Sequence, residues 1–285
     1  MRIASWNLNS IRSREAHLLR WLGEAQPDLV GLQETKVEDS LFPRAGLEAA
    51  GYQAAISGQK SYNGVALLSR QPLEDLRMGF EALLPGDAEA RQLGEQRRVI
   101  SGWLDGIRII NLYVPNGSDL KSEKYSYKLA WLACLKRYLA VQRQQGEPFC
   151  MVGDFNIALE DRDLHNPARL TGGIMASEPE RQALRACLGD DLSDAFRLFE
   201  PDAGHWSWWD YRSGAWERDR GWRIDHLYLS EELQARALRS VIHKQERGQE
   251  KPSDHAPVSV DISDELNDEL NDELNDEAND EGPII

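Results

Sequence analysis

Cysteine is scarce in this 285-residue chain. The three present, Cys134, Cys150 and Cys187, are odd in number and have no metal-ligand spacing. That excludes a disulfide framework and a cysteine-based zinc site, and it points to a reduced, intracellular compartment. No apolar run approaches the ~20 residues that a membrane helix needs. The residues from Met1 to Asn7 lack the apolar core of a secretory signal. The expected setting is therefore the cytoplasm, without membrane contact. Positive charge is in deficit: 33 basic against 48 acidic residues give a net charge of −15. Taken alone, this argues against a simple electrostatic binder of DNA or lipid. Internal repeats and Pro/Gly/Ser-rich linkers are missing before residue 264. One domain over residues 1–262 is expected, and at 41% hydrophobic composition it can bury its own core.

The acidity is concentrated at one end. Residues 264–279 read Asp-Glu-Leu-Asn three times and Asp-Glu-Ala-Asn once, followed by Asp280 and Glu281. This run holds 10 acidic residues and no basic one, which leaves the rest of the chain with 33 basic against 38 acidic residues. Leucines four apart would share a helical face, but acids four apart repel along it. Residues 263–285 are therefore expected to form a disordered acidic repeat tail, open to a basic partner but requiring none.

Short apolar runs alternate with helical patterns in the remainder. Arg2 to Leu8 reads as a buried strand. Leu18, Leu19 and Leu22 mark a helix from Glu15 to Glu24, closed by Pro27. Further strands are expected at Leu29–Glu34 and Gly64–Ser69. Arg98–Leu104 and Ile107–Val114 flank Asp105-Gly106 as a hairpin. A long helix over Tyr125–Gln144 precedes a strand at Phe149–Gly153. A helix over Glu178–Gly189 and strands at Ile224–Leu229 and Ala256–Ile262 complete the set. Many strands with interspersed helices predict an α/β fold of two packed sheets flanked by helices.

Polar side chains fall where these strands end. Asn7 and Asn9 follow the first, Glu34 the second, and Asp154 and Asn156 the strand at 149–153; Asp225-His226 and Asp254-His255 lie near the last two. A single strand-end Asp is more often a turn former, and a single His a satisfied surface or core group. Together, their oxygens suit a hard cation such as Mg²⁺. The corresponding chemistry is metal-assisted hydrolysis of a phosphate ester.

The chain from Met1 to about Ile262 resembles the exonuclease III family of apurinic/apyrimidinic endonucleases, within the endonuclease/exonuclease/phosphatase superfamily. The resemblance rests on eight ordered blocks: Ser5-Trp6-Asn7-Leu8-Asn9, Leu32-Gln33-Glu34-Thr35-Lys36, Asn63-Gly64-Val65-Ala66, Asn111-Leu112-Tyr113-Val114-Pro115-Asn116-Gly117, Gly153-Asp154-Phe155-Asn156, Trp208-Trp209-Asp210-Tyr211-Arg212, Gly221-Trp222-Arg223-Ile224-Asp225 and Ser253-Asp254-His255. It implies a four-layered α/β sandwich with two packed mixed sheets. It also implies a Mg²⁺-dependent nuclease, with Mn²⁺ as a substitute ion, that cuts duplex DNA 5′ to abasic sites and trims 3′ ends as a monomer.

The resemblance assigns residues as well. Glu34 matches the metal-binding glutamate, with Asn7 beside it. Asp154 matches the residue that orients or deprotonates the attacking water, and Asn156 its neighbour. Asp225 and His255 match a pair in which the carboxylate fixes the imidazole, and Asp254 a residue near the metal. The metal set is thus Asn7, Glu34, Asp154, Asn156, Asp254 and His255. Tyr113 and Asn116 match groups beside the scissile phosphate, although Pro115-Asn116-Gly117 is also a good turn. Trp208, Trp222 and Ile224 match the lining of a pocket for an extrahelical abasic sugar, with Arg212 nearby. Trp209 reads as packing and His226 as structural. The stretch from Trp206 to Arg223, where aromatics alternate with arginines, reads as loop surface. Its arginines, with Lys121, Lys124 and Lys128, either grip DNA phosphates or are ordinary surface charges. Asp161, Asp163 and His165 have the spacing of a metal loop, but a solvated loop is the stronger expectation. Two other readings stay open: a phosphatase or phosphodiesterase of the same superfamily acting on a phospholipid or small phosphoester, and a catalytically silent adaptor.

Overall fold

The computed structural model describes residues 1–263, so the acidic repeat lies outside the described residues. Twelve strands form two six-stranded mixed sheets. The first sheet comprises β1 (Arg2–Asn7), β2 (Leu29–Gln33), β3 (Gln53–Ser57), β4 (Val65–Ser69), β11 (Ala237–Ile242) and β12 (Val258–Ile262), in the order β11-β12-β1-β2-β4-β3. The second comprises β5 (Glu74–Met78), β6 (Val99–Leu104), β7 (Ile107–Tyr113), β8 (Phe149–Asp154), β9 (Leu192–Asp194) and β10 (Asp225–Ser230), in the order β5-β6-β7-β8-β10-β9. Each sheet has one parallel pair, β1 with β2 and β7 with β8.

Side-chain alternation along the strands separates the layers. Ile3, Leu29, Val65 and Leu67 of the first sheet meet Ile107, Ile109, Cys150, Val152 and Leu227 of the second in one inter-sheet core. On the outer face of the first sheet, Ala4, Trp6, Val30 and Leu32 pack on Leu18, Trp21 and Leu22 of the helix Ile11–Ala25. On the outer face of the second, Ile110, Leu112, Met151 and Tyr228 pack on the helices Glu123–Gln144 and Glu178–Leu188. The result is helix, sheet, sheet, helix: the expected four-layered α/β sandwich.

Near the site the sheets approach closely. A Cβ on Gly31 would stand 2.8 Å from side-chain atoms of Asn111 and Val152. The inter-sheet core there is polar: Gln33 donates to Ser5 at 3.0 Å and to Asn111 Oδ1 at 2.6 Å. Asn111 in turn donates to the carbonyls of Leu32 and Ala66. With partners made on both sides, the amides are buried without an orphaned donor and fix the sheets relative to each other.

Candidate active site

The parallel pairs bring Asn7 beside Gln33 and Tyr113 beside Asp154. Asp225 lies directly opposite Asp154 across the antiparallel β8–β10 ladder. His255 precedes β12, which pairs with β1. One end of the sandwich therefore collects Asn7, Glu34, Tyr113, Asp154, Asp225 and His255 from both sheets.

Contacts among these residues are continuous. Asn7 Nδ2 donates to Glu34 Oε1 at 2.9 Å and to Asp154 Oδ2 at 2.8 Å. The Tyr113 hydroxyl donates to the same Glu34 oxygen at 2.8 Å. Glu34 Oε2 faces the Lys36 ammonium at 2.7 Å. Asp154 accepts from the Asn156 backbone N–H at 2.9 Å and from Asn156 Nδ2 at 3.2 Å. His255 Nδ1 meets Asp225 Oδ2 at 2.8 Å, while its Nε2 stands 3.8 Å from Asp154 Oδ2. Asp225 is held by Ser207, whose hydroxyl donates to Oδ2 at 2.7 Å and accepts from the backbone N–H groups of Ile224 and Asp225.

The electrostatics separate the roles. Burial disfavours the Asp154 carboxylate; His255 opposes that, but Asp225 and Glu34 add repulsion, and the pKa of Asp154 is raised. Burial also disfavours the His255 cation, yet Asp225 and Asp154 outweigh it and raise its pKa. His255 is thus an imidazolium at neutral pH, pinned through Nδ1. Glu34 is pushed up by burial but held below its ordinary value by Lys36 and Asn7. Burial and the facing Glu34 drive the Tyr113 hydroxyl far above its ordinary value, so it stays protonated.

Backbone strain is present here. Asn9, Glu34, Lys36 and Asn156 have φ of 47°, 52°, 54° and 50°, in the left-handed region that L side chains enter at a cost. The 34–36 turn is held by Thr35 and Lys36 N–H groups donating to the carbonyls of Gly64 and Asn63. Gly64, at φ 85°, could carry no Cβ, which would fall 2.3 Å from Thr35 Oγ1. Gly153 has the same role before Asp154: its Cβ would lie 2.0 Å from the Leu112 carbonyl oxygen.

Three carboxylates, Glu34, Asp154 and Asp225, face two cations, Lys36 and His255, in a largely buried space. The oxygen-rich side suits a hard divalent ion. Asp154, Asp225 and His255 each offer a ligand atom within 4.8 Å of the others. His255, however, is committed to Asp225 as a cation, so Glu34 and Asp154, bridged by Asn7, are the better donors.

The other expected residues are distributed as follows. Asn116 joins the cleft, donating to Asn156 Oδ1 at 3.0 Å. Asp254 lies beside it, its two oxygens accepting from Asn9 Nδ2 and Trp208 Nε1, each at 3.0 Å. Trp222 and Ile224 form an apolar cluster with Leu164, Met175 and Ala176, against which Trp208 packs. Trp208 is edge-on to Trp222 at 6.2 Å and 6.4 Å from the His255 ring. Arg212 is not brought there: it pairs with Asp210 two residues away, and its side chain is 86% exposed.

Several expectations change. Lys128 is no surface charge. It is fully buried, donating to the Asn156 carbonyl at 2.7 Å and paired with Glu180 at 2.6 Å. Arg223 is also buried, bridging Asp163 and Asp194. The 161–165 segment is therefore not a simple solvated loop, since Asp163 lies at its buried heart. Trp206 is core rather than loop surface, packed with Trp209, which is packing as expected. His226 is structural, as expected, with Nε2 2.9 Å from the Ile157 carbonyl. Ser207 escaped the sequence reading, because a lone Ser between tryptophans carries no local signal.

A carboxylate-lined cleft with a pinned imidazolium, at one end of a four-layered sandwich, defines a phosphoester hydrolase. Residues 4–255 match the endonuclease/exonuclease/phosphatase family, and the chain belongs to it. It is 37% identical over 270 residues to exodeoxyribonuclease III of Haemophilus influenzae, covering 90% of this chain and 98% of that protein. Solved structures share the fold. A 3′-5′ exonuclease from Neisseria meningitidis superposes with a TM-score of 0.86 at 36% identity, covering 92% of this chain and 100% of that one. An AP endonuclease from Archaeoglobus fulgidus gives 0.85 at 37% identity, covering 92% and 99%.

Proposed function

We propose that this chain is a DNA repair nuclease that hydrolyses the phosphodiester 5′ to an abasic site in duplex DNA and trims 3′ ends. The observation that carries the reading is the unbroken chain of polar contacts from Tyr113 through Glu34, Asn7, Asp154 and His255 to Asp225, beside the Trp208–Trp222 cluster. The relatives' exonuclease and AP endonuclease activities support the same substrate class.

Asp154 orients the attacking water and accepts its proton, a role favoured by its raised pKa. The water oxygen attacks phosphorus, the bond to the 3′ oxygen breaks, and that oxygen leaves as an alkoxide that takes a proton from solvent to become the 3′-hydroxyl. His255, held protonated by Asp225, faces the phosphoryl oxygens and offsets their developing charge. Tyr113 and Asn116 supply hydrogen-bond donors to the phosphate. A divalent ion, Mg²⁺ or Mn²⁺, held by Glu34 with Asn7 and Asp154, would supply Lewis-acid stabilisation of the phosphoryl charge. Trp208, Trp222 and Ile224 form the apolar wall that receives a base-free sugar turned out of the helix. Among the described residues no helix is long and apolar enough to cross a membrane. A DNA substrate and three free, buried cysteines support a cytoplasmic setting.

The test is incubation with an abasic duplex and, separately, with phosphoinositide vesicles, with and without Mg²⁺. Expected is Mg²⁺-dependent scission leaving a 3′-hydroxyl. Hydrolysis of the lipid alone would overturn the reading.

A further inference from the structure

A second groove, of about 500 Å³, lies behind the Trp222 wall and is lined by His165, Asn166, Arg169, Arg218, Asp219 and Arg220. It adjoins the site through backbone: Leu164 and Trp222 form a β-bridge, and the His165 N–H meets the Gly221 carbonyl at 3.3 Å. The arginines of this region divide sharply. Arg223 and Arg197 are tied to buried acids, and Arg212 to Asp210. Arg169, Arg218 and Arg220 are exposed, and none makes an ion pair among the described residues. The one acid among the lining residues, Asp219, uses Oδ1 to accept from Trp209 Nε1 at 3.1 Å and to pair with Lys244 at 2.8 Å. Three guanidiniums against one carboxylate leave the concavity with an excess of positive charge that an anion would answer. His165 registers the field of two of them: burial, with Arg220 and Arg169, outweighs its contact with the Gly221 carbonyl and holds its pKa below the ordinary value.

We infer that Arg169, Arg218 and Arg220 form a phosphate-binding groove that grips the backbone of the duplex whose lesion sits against Trp222. The inference rests on the nuclease reading and adds to it a second, sequence-independent anchor outside the reacting centre. Guanidiniums suit phosphodiester oxygens because their planar forks donate two hydrogen bonds at once. The groove also accounts for DNA binding by a chain of net charge −15, since the local field at the backbone outweighs the total.

The experiment is a salt titration of binding to an abasic duplex in EDTA, read by fluorescence anisotropy, for the full chain and the triple variant Arg169→Gln, Arg218→Gln, Arg220→Gln. Expected are roughly tenfold or greater weakening at moderate salt and a log–log salt slope shallower by about three, one for each phosphate no longer neutralised. Unchanged turnover at saturating duplex with Mg²⁺, and an unchanged melting temperature, are also expected. Inorganic phosphate at millimolar concentration should compete no better than its ionic strength predicts; specific displacement would reassign the groove to a free anion. An unaltered slope, or loss of turnover with binding intact, would overturn the inference. A parent protein that neither binds nor cuts the duplex defeats the nuclease reading itself, whereas a normal parent with an indifferent triple variant defeats only the groove.

Discussion

Two buried clusters of charge flank the same strand and end differently. In one, Asp163 and Asp194 face Arg223 and Arg197, two acids against two cations. Burial disfavours the carboxylates there, but Arg223 outweighs it and both stay below their ordinary pKa. In the other, Glu34, Asp154 and Asp225 face only Lys36 and His255, and Asp154 is driven up. Both clusters are largely buried, but the balance of charge differs, and so do the cations: two guanidiniums in one, an ammonium and an imidazolium in the other. A matched cluster ties loops together, whereas the deficit leaves negative charge that a divalent ion and a proton can answer. The difference marks which cluster does chemistry, consistent with the tendency of perturbed carboxylates to gather in active sites.

The comparison is broken most severely by removing the matched cation. Arg223→Met strands Asp163 and Asp194 in the interior, and urea unfolding should register a loss of about 3–5 kcal/mol. A cost no larger than that of a surface substitution would erase the distinction. In the unmatched cluster, Asp154→Asn should keep duplex binding and lose on the order of 10²-fold or more in single-turnover cleavage. A parental rate would remove Asp154 from the reaction.

Lys128 sharpens the contrast from a third position. Its pair with Glu180 is balanced and fully buried, yet it anchors the Asn116 and Asn156 carbonyls. Replacing both members with methionine should cost about 2 kcal/mol or more in urea unfolding, because Glu180 also accepts from the buried Met175 and Ser177 N–H groups, which lose that acceptor. Cleavage at saturating DNA should also fall by about tenfold, because the two asparagines lose their common anchor. Intact turnover would make the pair purely structural.

The smallest effect is in pH. Carboxylates with depressed pKa, such as Asp163 and Asp194, contribute stability that is fully present above the unfolded value of about 4 and lost as pH falls below it. Chemical denaturation between pH 6 and 3 should therefore show a steepening loss that Asp163→Asn flattens. A flattened curve in the parent would contradict the assignment.

Much of this was legible in the chain. The hairpin at Asp105-Gly106 formed as expected, both residues taking positive φ of 48° and 81°, because an Asp-Gly pair in a type I′ turn matches the twist of flanking strands. Buried strands with polar ends gave away Asn7, Glu34 and Asp154, since alternation and strand direction are local properties. The strands β3, β5, β9 and β11 were missed for the complementary reason. All four lie at sheet edges, and β5, Glu-Asp-Leu-Arg-Met, is mostly exposed and charged, so its pairing carries no apolar signature. Lys128, Arg223 and Ser207 were misjudged or overlooked because their partners, Glu180, Asp163 and Asp225, lie 52, 60 and 18 residues away. Charge at a surface and charge in a buried pair look alike until the chain is folded.

The most direct measurement is the melting temperature of the parent and Asp154→Asn, each in EDTA and in Mg²⁺. If the cleft carries uncompensated negative charge that a divalent ion relieves, the variant melts about 2–4 °C above the parent in EDTA, roughly 1 kcal/mol for a domain of this size. Mg²⁺ then raises the parent more than the variant. A variant that melts lower in EDTA, with both proteins indifferent to Mg²⁺, would contradict the account.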